Sequence, residues 1–274
     1  MLSLFIEWTA NPEIFPEGGF FSRLRWYGLC WAMGFYIGFY MVKYFYKVEG
    51  KKQELLDPLF LYIFAGGILG ARIGHCLFYD TEIYLRAPWE MLKIWEGGLA
   101  SHGGLIGVVL AIFFYCKKYK QNFLDITDRV SIAGAFAAML IRIGNLFNHE
   151  IIGDVCDKPW CFQFTRAHRG LSEASRHPTQ LYESIIYFFV FIILLFLWKK
   201  YKGDIKRGLL TGTFFVLVFS GRFIVEFVKI KQAHHDILDG TGLKMGQLLS
   251  IPVILAGLYI LFFVKDKKIN TTNG

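Results

Sequence analysis

The sequence predicts an all-α polytopic membrane protein with about seven transmembrane helices. Three observations lead there. Of its 274 residues 54% are hydrophobic and 18% aromatic, and the mean hydropathy is +0.40. That is too apolar for an ordinary soluble domain and rich in the rings that gather at membrane interfaces. Seven apolar runs approach the roughly 20 residues that cross a bilayer. Four basic clusters punctuate those runs: Lys43, Lys47, Lys51 and Lys52; Lys117, Lys118 and Lys120; Lys199, Lys200, Lys202, Lys206 and Arg207; and Lys265, Lys267 and Lys268. They hold half of the 30 Lys and Arg and follow runs one, three, five and seven. The positive-inside bias puts those ends in the cytoplasm, with the N-terminus outside and the C-terminus cytoplasmic. An odd span count agrees. Topology thus accounts for the net charge of +8, and no nucleic-acid partner is implied.

In chain order, span one is expected at about 26–46. It opens on Arg25, Trp26 and Tyr27, with Tyr27 reading as an interface aromatic. Span two covers about 58–79. The next loop, Asp80 to Glu96, carries four acids against two bases and so lies outside. Span three, about 97–116, starts with glycines that allow backbones to approach closely. His102 sits among them, either as a packing histidine bonded to a neighbouring helix or as a residue facing a ligand. Asp125 and Asp128 stand at the inner end of span four, about 126–147, where Asp125 reads as a helix cap. The external loop of about 148–180 holds Cys156 and Cys161. An outside location permits a disulfide between them, and two free thiols are the alternative. Cys30, Cys76 and Cys116 read as packing residues. Spans five, six and seven are expected at about 181–198, 209–229 and 246–264, with Thr179 or a neighbour capping the fifth. The chain reads as one integral-membrane domain, 1–274, with 148–180 as an external insertion. It shows no internal repeat, and no cleaved signal peptide is expected, because no basic stretch followed by an apolar core and a small-residue cleavage site opens the sequence.

The chemistry concentrates where span four ends. Arg142-Ile-Gly-Asn-Leu-Phe-Asn-His-Glu-Ile-Ile-Gly153 crowds polar groups behind the apolar run Val130 to Leu140. Charge at membrane depth is expensive and turns toward protein or water, which marks a functional site. Arg142 and Asn145 are three apart and share a helix face. Asn148, Glu150 and Gly153 follow in a re-entrant or loop segment. The plainer reading has Asn and Glu capping a helix end while Arg142 snorkels. In span six, Arg222 and Glu226 are spaced i,i+4 and can pair, whether as a structural ion pair or as part of a site. His149-Glu150 begins like a zinc-protease motif, but position 153 is Gly, so the second His is missing. Neither a Cys-x-x-Cys pair nor a phosphate-binding loop is present.

Taken together these motifs resemble the bacterial prolipoprotein diacylglyceryl transferases. The resemblance rests on Arg25-Trp-Tyr-Gly28, Gly70-Ala-Arg72-Ile-Gly74, Gly97-Gly98 with His102-Gly-Gly, the Arg142–Gly153 block, His177-Pro-Thr-Gln-Leu-Tyr-Glu183 and Gly221-Arg-Phe-Ile-Val-Glu226. It covers nearly the whole chain. Two features depart from it: His149, where the family commonly has Gly, and the external segment of about 154–176 with its two cysteines. The resemblance implies transfer of the diacylglyceryl group of phosphatidylglycerol to the lipobox cysteine in the signal peptide of a preprolipoprotein, with glycerol phosphate leaving. It implies no metal and no cofactor, and a bacterial inner membrane location; the charge bias, which puts Asn148, His149 and Glu150 at the outside end of span four, turns the site toward the outer leaflet. His102, Arg142 and Arg222 would then be catalytic. Tyr27, Asn145, Asn148, Glu150, Gly153 and Glu226 would bind substrate. A transporter or flippase for an anionic phospholipid would use similar residues, but many transporters show an internal repeat. A lipid-binding scaffold without catalysis is the third reading.

Overall fold

The computed structural model describes residues 5–16, 18, 24–78, 84, 86–93, 100–167, 170–201, 204–230 and 243–264, with Phe78, Ser101 and His102 described in backbone only. Among these residues there are seven long helices: α1 Trp26–Val48, α2 Leu56–Phe78, α3 Ser101–Tyr119, α4 Phe123–Phe147, α5 Thr179–Tyr201, α6 Leu209–Glu226 and α7 Met245–Phe263. Each falls on one of the seven predicted runs, within a few residues. The segment between α4 and α5 is 148–178, two residues shorter than expected, because α5 begins at Thr179.

By length and composition five segments can cross a membrane: Gln53–Leu77, which contains most of α2, and the helices α4 to α7. With 23 and 19 residues, α1 and α3 are long enough but less apolar. The first is crowded with Tyr and Trp, while the second opens on Ser-His-Gly-Gly and ends near Lys117 and Lys118. Such side chains favour the interface over hydrocarbon.

The chain divides into two compact units, Met1–Met41 with Asp128–Gly274, and Val42–Thr127. Within the smaller unit α2 and α3 meet along glycines. A methyl on Gly103 would overlap the Gly70 carbonyl, and one on Gly107 the Gly66 carbonyl; a methyl on Gly74 would come within 2.8 Å of Gly103 Cα. Such close backbone approach is how helices pack tightly in a bilayer, where lipid tails remove the hydrophobic incentive. Arg72 is buried and closes a 3-10 turn, Pro88–Leu92, by donating to the carbonyls of Glu90 (2.6 Å) and Met91 (3.0 Å). Asn122 Oδ1 accepts the Asp125 amide at 3.0 Å, so Asn122 caps α4. The Asp125 carboxylate pairs with Lys51 instead.

In the larger unit α1 lies on α4, where a methyl on Gly34 would be 3.1 Å from Ala137. Asp128, 0% exposed, reaches from α4 to the start of α6. It accepts from the amides of Gly208 (2.7 Å) and Thr211 (2.8 Å) and from the Thr211 hydroxyl (2.8 Å). A buried carboxylate there satisfies orphan amides of the helix start. Two short strands, β1 Ile6–Trp8 and β2 Phe162–Phe164, pair in parallel with Ile6 opposite Phe162. Trp8 packs on a small core of Leu146, Ile152, Phe162 and Phe164, and its indole donates to Leu146 O at 3.0 Å. Cys156 and Cys161 are joined in a disulfide, Cα to Cα 6.0 Å.

Candidate active site

The site is built on the end of α4. Arg142 is 9% exposed and Asn145 4%, one above the other as their spacing requires. Arg142 donates to Asn145 Oδ1 at 3.0 Å. Asn145 passes the chain on, donating to Glu150 Oε2 at 3.2 Å, and Asn148 donates to Glu150 Oε1 at 2.6 Å. Both oxygens of Glu150 are thus held by amides. Tyr27, in the first turn of α1, feels the charges of Glu150 and Arg142. It can approach because position 144 is Gly: a methyl there would lie 3.0 Å from Tyr27 Cα.

Behind Arg142 stands Glu183 of α5, 0% exposed. Its carboxylate is shared between Arg142 Nε (2.7 Å) and Lys229 Nζ (2.7 Å), and it also feels Arg222. Tyr187, one turn along α5, interacts with the same guanidinium. Glu226 does not form the expected i,i+4 pair with Arg222. It lies 3.4 Å from Lys229 Nζ, because the chain turns after α6 and brings Lys229 back beneath it. A methyl on Gly246 would overlap the Glu226 carboxylate, so α7 also hems it in. Arg222 is left with a buried Nε that has no hydrogen-bond partner among the described residues. The cluster therefore sets three cations, Arg142, Arg222 and Lys229, against two carboxylates, Glu183 and Glu226. An excess cation held at low dielectric, with a free guanidinium donor, is suited to an anion.

The signature turn is strained. His149 has φ +53° and Ile151 φ +56°, a left-handed conformation that is costly for a β-branched residue. Three bonds hold it. The Thr179 hydroxyl donates to Ile151 O at 2.5 Å, the Gln180 amide donates to Glu150 O, and His149 Nε2 donates to Ala10 O at 2.9 Å. Thr179 thus serves the turn with its hydroxyl. The positive φ explains why Gly suits position 149. Burial pushes the His149 imidazole below its ordinary pKa. The nearby charge of Arg166 acts in the same direction, while the bond to Ala10 opposes it.

Gly153 is a point of close approach. A methyl there would lie 2.6 Å from both His177 Cβ and Val228 O. Its amide donates to His177 O at 3.0 Å, and it bridges to Lys229 in antiparallel fashion. Lys244 ties the same corner, donating to Phe227 O at 3.1 Å and lying 3.3 Å from Asp154 Oδ2. His102 occupies the first turn of α3; its side chain lies outside the described residues, as do Gly97 and Gly98. Among the described residues the one cluster with metal-ligand geometry is Cys156, Cys161 and His177, within 4.8 Å of one another. Its thiols are joined to each other, so it offers no thiolate.

Glu183 and Lys229 are functional residues that the sequence patterns alone do not single out. The sequence does carry a signal for Glu183: it is an acid in the first turns of an apolar helix whose basic residues, Lys199 and Lys200, lie at the far end, so it needs a cation from another helix. Lys229 stands at the end of the sixth apolar run, and nothing in its sequence neighbourhood marks it as a partner of Glu183.

The description "Prolipoprotein diacylglyceryl transferase" belongs to the family model that matches residues 18–263. Relatives named phosphatidylglycerol–prolipoprotein diacylglyceryl transferase match almost from end to end. The one from Bacteroides fragilis is 41% identical, over 97% of this chain and 98% of the relative. That from Chloroherpeton thalassium is 41% identical over 99% of both. That from Tolumonas auensis is 42% identical over 95% of this chain and 98% of the relative. Matched by the family model over residues 18–263 and by these relatives over nearly its whole length, the chain belongs to the prolipoprotein diacylglyceryl transferase family.

Proposed function

We propose that this chain moves the diacylglyceryl group of phosphatidylglycerol onto the thiol of a lipobox cysteine in a preprolipoprotein. The observation that carries the reading, beside family membership, is the buried cation excess with its unpartnered Arg222 donor. In the reaction the sulfur attacks a glycerol carbon and a C–S bond forms. The C–O bond to phosphate breaks, and glycerol phosphate leaves with the electron pair. The leaving group is already anionic, so it needs charge stabilisation more than a proton.

Arg222 offers the free fork. Arg142, braced by Glu183 and Asn145, offers its remaining donors without having to reorganise. Asn145, Asn148 and Glu150 present amides and a carboxylate to headgroup hydroxyls, and Tyr27 lines the same side. Gly153 and Glu226 shape the site, through backbone approach and through Lys229. A cysteine thiol has an ordinary pKa of about 8.5 and is mostly protonated at neutral pH, and His102 takes its proton as general base. The step as written needs neither metal nor organic cofactor. Residues 1–274 act as one transferase domain of the bacterial inner membrane. Its N-terminus and the 148–178 insertion lie outside, its C-terminus lies in the cytoplasm, and its site opens to the outer leaflet.

One experiment tests both activity and sidedness. Sealed membrane vesicles of either orientation, containing this protein and phosphatidylglycerol, are given a lipobox peptide, and the peptide is weighed by mass spectrometry. A diacylglyceryl mass gain is expected with the outer face exposed. No gain in either orientation ends the transferase reading; a gain only in inverted vesicles ends the assignment to the outer leaflet.

A further inference from the structure

The polar chain from Arg142 does not stop at Glu150. Glu150 and Asn148 line a cavity of about 450 Å³ whose other charged walls are Arg25, Arg166 and Glu13. The volume is in the range of small-molecule sites. Its charges are unevenly committed. Both oxygens of Glu150 are bonded to Asn145 and Asn148. Neither guanidinium, that of Arg25 or that of Arg166, has an ion-pair partner among the described residues. Asn148 Oδ1 is buried without a hydrogen-bond partner. Among the described residues the cavity therefore presents two guanidinium forks without an ion pair and a spare amide acceptor, beside the carboxylates of Glu13 and Glu150, the second of which has both oxygens already held by amides. That set matches a phosphate that carries hydroxyl groups.

A hydrogen-bonded path, Arg142 to Asn145 to Glu150, joins this wall to the buried cluster. An anion released beside Arg142 and Arg222 would meet polar groups along that path until it reached Arg25 and Arg166. We propose that the cavity is a product vestibule, which binds the phosphoglycerol group as free glycerol phosphate after transfer. The inference rests on the transferase reading. It adds an anion site outside the reacting groups, one wall of which, Arg166, comes from the segment between α4 and α5. Exposed Arg25 and Arg166 can hand the anion to solvent, whereas the buried cluster cannot.

The test is equilibrium binding of glycerol phosphate to the purified full-length protein in detergent, comparing wild type with Arg25→Gln, Arg166→Gln and the double variant. Binding needs no turnover, so its result is separable from that of the transfer assay. The dissociation constant is expected to rise about tenfold or more in the double variant, the equivalent of one lost charge-assisted hydrogen bond. Glycerol alone should not compete, and inorganic phosphate should. During transfer, added glycerol phosphate should inhibit the double variant less than wild type, each measured against its own uninhibited rate. Equal binding by wild type and double variant overturns the vestibule, as does competition by glycerol as strong as by phosphate. A raised KM for phosphatidylglycerol with unchanged glycerol phosphate binding also overturns it, and places the intact lipid's headgroup there instead.

Discussion

His149 has a left-handed backbone, one free ring nitrogen and a depressed pKa, all in one residue. Its neutral form is the one the fold accepts, so protons bind more readily to the unfolded chain. The associated stability is fully present above the ordinary imidazole value of about 6.5 and is lost as pH falls below it toward the folded pKa. Lowering pH from about 7.5 to 5.5 should therefore reduce the melting temperature of the detergent-solubilised wild type more than that of His149→Gln. Equal slopes in the two proteins would contradict this account of His149. At the same scale, Arg142, Asn145 and Glu150 were legible because polar groups at membrane depth stand out against hydrocarbon. The Glu183–Lys229 pair was not, because its members lie 46 residues apart and meet only through the packing of α5 against the turn after α6.

The helices were legible to within a few residues, since a bilayer demands long apolar runs and basic residues mark their ends. The parallel pair β1–β2 was not. Three-residue strands carry no periodicity to read, and their partners come from opposite sides of four helices. The segment after α4 was partly legible. Its polar turn was expected, but the backbone junction that holds Gly153 between His177 and Val228 follows only from the fold. Gly153→Ala tests that junction. The added methyl meets backbone at 2.6 Å, and such overpacking costs about 1–3 kcal/mol. The variant should melt at a lower temperature and lose turnover, because Lys229 shifts away from Glu183. Full stability combined with weaker phosphatidylglycerol affinity would instead make Gly153 a direct substrate contact.

For the molecule as a whole, class and family follow from patterns spread over the entire chain, which is why they could be read early. Much of what sets the chemistry could not be. The chain gathers three cations and two carboxylates around one buried point, and leaves Arg222 with an uncommitted donor. The planar fork, rather than charge alone, is what the account requires of Arg222, because Lys229 already supplies an ammonium nearby. The most direct measurement is diacylglyceryl transfer to a lipobox peptide by purified wild type and Arg222→Lys, with melting temperatures recorded alongside. The account predicts that the Lys variant folds as wild type does and loses about a hundredfold or more in kcat/KM, the cost of removing one aligned donor from a developing anion. A folded Arg222→Lys protein with near wild-type turnover would contradict it.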